Sequence, residues 1–133
     1  MELIQIYQCF CDETRLRILN LLSQGPLCVC HFQTLLDETQ VKVSKHLAYL
    51  KSKGMVAATR YQNWMIYCLP SKRSPELEKN LKCLQDCVQT MPVFKKDQRN
   101  LKGMDRDLAW IEGALACCFP AKDGGSKCVS KKH

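Results

Sequence analysis

The stretch TQVKVSKHLAYLK, residues 39–51, constrains this chain more than any other. Val43, Leu47 and Leu50 recur at i, i+4 and i+7, so they share one face of a helix that needs a core on that side only. Lys42, Ser44, Lys45, His46, Tyr49 and Lys51 cover the remaining surface. Thr39 is the N-cap candidate, because its hydroxyl can accept from a free N–H of the first turn. Gly54 suits a left-handed stop just past the other end. Solvated helix faces ordinarily mix both signs of charge. This one carries Lys, Ser, His and Gln with no acid, which predicts a helix that meets an anion.

The charge map points the same way. The net charge is +7, from 20 Lys and Arg against 13 Asp and Glu. Residues 39–75 hold seven cations (Lys42, Lys45, Lys51, Lys53, Arg60, Lys72 and Arg73) and no acid, while the rest of the chain is balanced. A uniform excess would argue for solubility alone. A localised one is the electrostatic footprint of a nucleic-acid surface.

The neighbouring segments supply the context. Leu3, Ile6, Tyr7 and Phe10 predict a short first helix. Asp12 or Thr14 can cap a second, with Leu16, Leu19 and Leu22 at helical spacing. Gly25-Pro26 ends that helix and opens a third over residues 27–36, Pro being well placed in a first turn. A turn over residues 37–39 leads into the basic helix. Helix, short turn and helix with a polar outer face form the helix-turn-helix arrangement. After Gly54 the apolar period changes from 3.6 to 2, predicting strands over 55–60 and 64–69 with Tyr61, Gln62 and Asn63 at the tip. Such a hairpin behind a recognition helix is a wing, and it lays Arg60, Gln62 and Asn63 over DNA backbone or minor groove. Helix resumes near Ser74, with Leu77, Leu81, Leu84 and Val88 as an apolar stripe that Pro92 stops. Residues 93–104 read as a Lys-rich linker, residues 105–119 as a weaker helix, and the rest as a flexible tail. The expected fold is mainly α with a small β-hairpin, a dimeric winged helix-turn-helix. Residues 1–91 form the DNA-binding and dimerisation domain and 92–133 a C-terminal extension.

The chain has 133 residues, 46% of them apolar, enough for one domain with a core. No apolar run approaches the roughly 20 residues needed to span a bilayer, and MELIQIYQCF lacks the pattern of a signal peptide. The expected location is the cytoplasm, with no membrane partner. Ten cysteines then stand out, because thiol-rich chains in a reducing compartment bind soft metals or sense redox state more often than they form disulfides. Cys28-Val29-Cys30 opens the third helix. Two thiols at i and i+2 point about 200° apart on an ideal helix, but they can converge at a distorted first turn, where the helix N-terminus favours thiolate. Soft ions would be selected: trivalent arsenic or antimony, or cadmium, lead and zinc. Cys83 and Cys87, at i and i+4, face the same way. His31 offers a nitrogen donor or is simply a satisfied polar residue. Cys68 reads as structural.

Four segments together resemble the ArsR/SmtB family of metal- and metalloid-responsive repressors: DETRLRIL at 12–19, LCVCHF at 27–32, VSKHLAYLKSKGMV at 43–56 and RYQNWMIYCL at 60–69. The resemblance covers about residues 3–84, and Cys-Val-Cys is similar to the arsenic-sensing branch. It implies a homodimer, joined through the first and post-wing helices, that occupies an inverted-repeat operator in double-stranded DNA. The dimer would leave when arsenite or antimonite, or else Cd, Pb or Zn, binds Cys28 and Cys30. Arsenite-sensing relatives commonly place a third Cys three residues after the second, where this chain has Gln33. Cadmium and lead sensors imply Cys9 and Cys11 as further ligands, and Cys117-Cys118 resemble vicinal pairs that bind trivalent arsenicals. The zinc sensors' post-wing His is missing here.

Gln40, Lys42, Ser44, Lys45 and His46 are the expected major-groove residues. A thiol redox switch on the same scaffold is the alternative function. An enzyme reading rests on Cys9-x5-Arg15 and Cys11-x5-Arg17, the spacing of an oxyanion loop. Asp12 and Glu13 within it would repel an oxyanion, and the context is helical rather than a glycine-rich loop after a strand.

Overall fold

The computed structural model describes residues 2–61, 63–87 and 90–104. Among these residues nine elements follow in order: α1 (Glu2–Cys9), α2 (Glu13–Leu22), β1 (Leu27–Cys28), α3 (Val29–Leu36), α4 (Gln40–Ser52), β2 (Ala57–Tyr61), β3 (Trp64–Cys68), α5 (Pro75–Cys87) and α6 (Pro92–Lys102).

The helix starts follow local chemistry. Asp12 caps α2, its carboxylate accepting from Arg15 N–H at 3.1 Å. Thr39 caps α4 by accepting from Lys42 N–H at 3.2 Å. Ser74 caps α5 through Leu77 N–H, and its hydroxyl donates to Glu2, tying α5 to α1. The end of α4 is also as expected. Gly54 adopts φ 77°, its N–H donates to Lys51 O, and Met55 N–H donates to Leu50 O. That pair of bonds satisfies the last carbonyls of α4 and needs a left-handed residue. Val43, Leu47 and Leu50 point into the main core with Ile18, Leu19, Leu21, Phe32 and Leu36, and burying each stabilises the fold by about 1.5–3 kcal/mol. Leu77, Leu81 and Leu84 join them from α5. Among the described residues no helix is long and apolar enough to cross a membrane.

Three expectations need correction. The sheet has three strands rather than a lone hairpin, in the order β1-β3-β2, all antiparallel. Leu27 pairs with Tyr67 and Cys28 with Ile66, so residues 27–28 are strand and the third helix begins only at Val29. A two-residue strand is too short to show a period. Second, Tyr7 does not share the inward face of α1, where Ile6 and Cys9 are buried; it lies with Ile4 on the outside. Third, residues 93–104 are no linker. Pro92 occupies the first turn of α6, where its missing N–H costs nothing, and Phe94, Asp97 and Leu101 are buried at helical spacing. Charge on the outer face of α6 hid that stripe. Because α6 packs on α2 and α3, it shares the core of the unit expected over residues 1–91. The helix expected over 105–119 and the tail lie outside the described residues.

Candidate nucleic-acid interface and thiol site

Helix α3, the turn at residues 37–39 and α4 form the helix-turn-helix, with Asp37 in the left-handed region at φ 56° where the chain reverses. On α4, Gln40, Lys42 and Lys45 are exposed, and Ser44 and His46 are half-buried. Val41, which the reading of charge passed over, is 77% exposed on the same turn as Gln40 and Lys42. The wing tip carries exposed Arg60 and Asn63, with Tyr61 paired to Trp64 across the turn. Gln62 lies outside the described residues.

The window that is acid-free in sequence is not acid-free in space. Lys42 meets Glu38 at 3.4 Å and Arg73 meets Glu78 at 3.0 Å. Both pairs are exposed and weak, so a phosphate can take the cation over. Lys53 lies over the Tyr49 ring. Lys45, Lys51, Arg60 and Lys72 are exposed. His46 lies near Asp12: burial raises that carboxyl, but N–H groups of Arg15 and Thr14 together with the charges of His46 and Arg15 hold it below the ordinary value.

The two arginines of the enzyme reading are structural. Arg15 donates to the carbonyls of Cys9 at 3.0 Å and Gln8 at 2.9 Å and stacks on Tyr49 at 4.4 Å. It clamps the end of α1 to α2 and α4. Arg17 makes a bidentate pair with Asp97, both bonds 2.8 Å, with Asp97 only 1% exposed.

The thiols divide sharply. Cys28 is the last residue of β1 and the N-cap of α3, extended at φ −100°, ψ 170°. That bend turns its side chain back over the first turn, so Cys28 Sγ and Cys30 Sγ lie 2.9 Å apart. His31 closes a reciprocal cap. Its Nδ1 accepts from Cys28 N–H at 3.2 Å and lies 3.4 Å from Cys28 Sγ, while the sulfur faces the His31 N–H. The ligand atoms of Cys28, Cys30 and His31 all fall within 4.8 Å of one another, and among the described residues no other group of three donors does so. Burial raises the Cys28 thiol, but hydrogen bonds from His31 and Cys30 outweigh it and bring the value to about 7. Burial and the neighbouring Cys28 push Cys30 to about 11. The pair therefore holds one thiolate near neutrality, which fits a soft ion.

The remaining candidates are apart from this group. Cys9 is buried in the core, where desolvation raises its thiol, and Cys11 is exposed at the α1–α2 turn. Cys83 is exposed on α5 and Cys87 half-buried. Cys68 is buried in β3 beside Ile66, in a small cluster with Cys28. Cys117 and Cys118 lie outside the described residues. The convergence of Cys28 with His31 was legible only as adjacency in sequence, since it depends on the strand-to-helix bend.

Comparison with known proteins completes the picture. The model of the family described as bacterial regulatory protein, arsR family, matches residues 12–58, from the cap of α2 into the wing. The arsenical resistance operon repressor of Escherichia coli K12 is 38% identical over 110 residues, covering 79% of this chain and 93% of that protein. HlyU from Vibrio cholerae N16961 superposes with a TM-score of 0.60 at 25% identity, over 67% of this chain and 94% of that one. The homodimeric winged helix-turn-helix domain of Mb0332 from Mycobacterium bovis shares the fold at a TM-score of 0.56 and 21% identity, over 80% of this chain and 87% of that one. With a basic recognition helix on a helix-turn-helix, a wing behind it and a relative this similar over most of its length, the chain belongs to the ArsR family of DNA-binding transcriptional regulators, which are not enzymes.

Proposed function

We propose that this chain is a homodimeric, cytoplasmic repressor of an arsenic or heavy-metal resistance operon, released from its operator when a thiophilic metal or metalloid binds Cys28 and Cys30. One observation carries the reading: Cys28 belongs both to β1, an edge strand of the wing sheet, and to the cap of α3. An inducer bridging Cys28 and Cys30 pulls on the wing and on the helix-turn-helix at once. The arsenical repressor of Escherichia coli supports arsenite, or its antimony analogue, as the inducer. Arsenous acid would condense with the two thiols, forming two As–S bonds, breaking two As–O bonds and releasing two waters, with arsenic remaining trivalent. Release follows only if the bound form favours the low-affinity conformation, a coupling of about 1–3 kcal/mol.

On DNA, Gln40, Lys42, Ser44, Lys45 and His46 enter the major groove, and Arg60, Gln62 and Asn63 follow the backbone or minor groove. Val41 is suited to a thymine methyl. Two such helices related by a two-fold axis read an inverted repeat with half-sites about one turn apart. The homodimeric state of the Mb0332 domain supports the pairing.

Fluorescence anisotropy of the reduced protein on DNA from its own upstream region tests this. Arsenite should release the wild type, and Cys28→Ser should bind DNA but ignore arsenite. Lys42→Ala should weaken binding and flatten the salt slope by about one. A fully inducible Cys28→Ser would move the sensor to Cys117 and Cys118. Two touching thiols, one ionised near neutrality, also favour a second reading, a redox switch; release by peroxide but by no metal would establish it.

A further inference from the structure

The Cys28–Cys30 pair lacks a third sulfur at Gln33, yet a third donor already stands beside it. We propose that His31 completes the site through Nδ1, and that the resulting two-thiolate, one-imidazole set adds a divalent thiophilic ion, zinc or cadmium, to what this site can hold. The inference rests on the proposed role of Cys28 and Cys30 as the inducer pair.

Three observations carry it. Nδ1 lies 3.4 Å from Cys28 Sγ, already the separation of two ligands on one tetrahedral ion whose bonds to sulfur and nitrogen are about 2.3 Å and 2.0–2.1 Å. The two sulfurs, at 2.9 Å, must move apart to admit an ion between them. Next, Nδ1 rather than Nε2 is the ring nitrogen turned toward Cys28, 3.2 Å from its backbone nitrogen and 3.4 Å from its sulfur, so no ring flip is needed to offer it to an ion. The ring is held in place before any ion arrives, and an ion on Nδ1 leaves the ring proton on Nε2. Finally, the donors discriminate between ions. Two thiolates and a neutral imidazole balance a dication and suit tetrahedral zinc or cadmium, with water or another side chain in fourth place. Trivalent arsenic, with three bonds and a lone pair, is satisfied by the two thiolates and a hydroxide and leaves the imidazole out. His31 therefore separates the two inducer classes: it strengthens divalent binding and leaves arsenite binding to the thiols. In exchange, the Cys28 N–H gives up its bond to the ring when an ion binds.

The test uses the full-length reduced protein with 15N-labelled histidine and one equivalent of cadmium-113 per chain. The expected result is a one-bond cadmium–nitrogen coupling to Nδ1 of a single histidine, absent from His31→Gln. Gln preserves an acceptor for the Cys28 N–H, so the α3 cap survives. Cadmium affinity, read by competition with a chelator, should fall about tenfold or more in His31→Gln, while arsenite affinity stays within about threefold. A wild type that binds cadmium through Cys28, as judged by loss in Cys28→Ser, but shows no coupling to His31 overturns the inference and leaves the inducer pair standing. An equal loss of cadmium and arsenite in His31→Gln also overturns it, reducing His31 to a helix cap. If Cys28→Ser binds both ions as tightly as the wild type, the inducer pair itself is wrong and the inference falls with it.

Discussion

At the scale of single residues, the two thiols of the α3 cap divide one ionisation unequally. Cys28 comes down from 9.0 to about 7 and Cys30 rises from 9.0 to about 11. Between pH 7 and 9 the folded chain holds fewer protons at Cys28 than the unfolded chain, so stability rises with pH there and is lost as pH falls through 7. Between pH 9 and 11 the folded chain keeps the Cys30 proton that the unfolded chain has lost, and stability falls again. The reduced protein should therefore peak near pH 9 relative to Cys28→Ser, with a rising limb of about 1–2 kcal/mol. Exposure of Cys30 makes the falling limb shallower. Urea unfolding of both proteins under reducing conditions reads the difference, and parallel stability curves would reject the thiolate at Cys28.

At the scale of elements, α6 is the unexpected member, and one ion pair anchors it. Asp97 is almost fully buried and takes both of its hydrogen bonds from Arg17 of α2. Removing one partner of such a pair strands the other charge away from water. Asp97→Ala should cost about 3 kcal/mol in urea denaturation, the lower part of the range because Arg17 keeps 18% exposure. The double change Arg17→Met with Asp97→Leu should recover most of that loss, since no charge is then left unpaired. A cost below about 1 kcal/mol for Asp97→Ala would mean that α6 does not dock in solution. Its docking reaches function because α6 also packs on α3, the helix that carries Cys30 and His31.

At the scale of the whole molecule, the question is what covers α1. Ile4 and Tyr7 lie one turn apart and are 54% and 53% exposed, on the helix that α5 and Ser74 hold in place. Two large apolar side chains on one turn suit the first-helix part of the proposed dimer interface. Ile4→Glu with Tyr7→Glu should give monomers in sedimentation equilibrium and keep the far-ultraviolet dichroism of the wild type, because neither side chain fills the core. Affinity for an inverted repeat should fall by about a hundredfold or more once two linked half-site contacts become one. A dimeric double variant would place the interface elsewhere.

The same division by range explains what the chain announced in advance. Recognition helix α4 was readable from its own residues: the Thr39 cap, the Val43, Leu47 and Leu50 stripe, the Gly54 stop and the outward polar face all depend on neighbours within a few positions. The β2–β3 hairpin was readable for the same reason, although Tyr61, expected at its tip, pairs with Trp64 in the ladder. Packing alone decided the rest. Leu27 and Cys28 are strand because Tyr67 and Ile66 lie beside them, and α6 buries Phe94, Asp97 and Leu101 against the core, with Arg17, eighty positions earlier, neutralising Asp97. The convergence of Cys28, Cys30 and His31 follows from that short strand, since an ideal helix would have pointed the two thiols apart. Local hydrogen bonds and periodicity are written in consecutive residues; the pairing of distant segments is not, and here that pairing brings the thiols and the imidazole together.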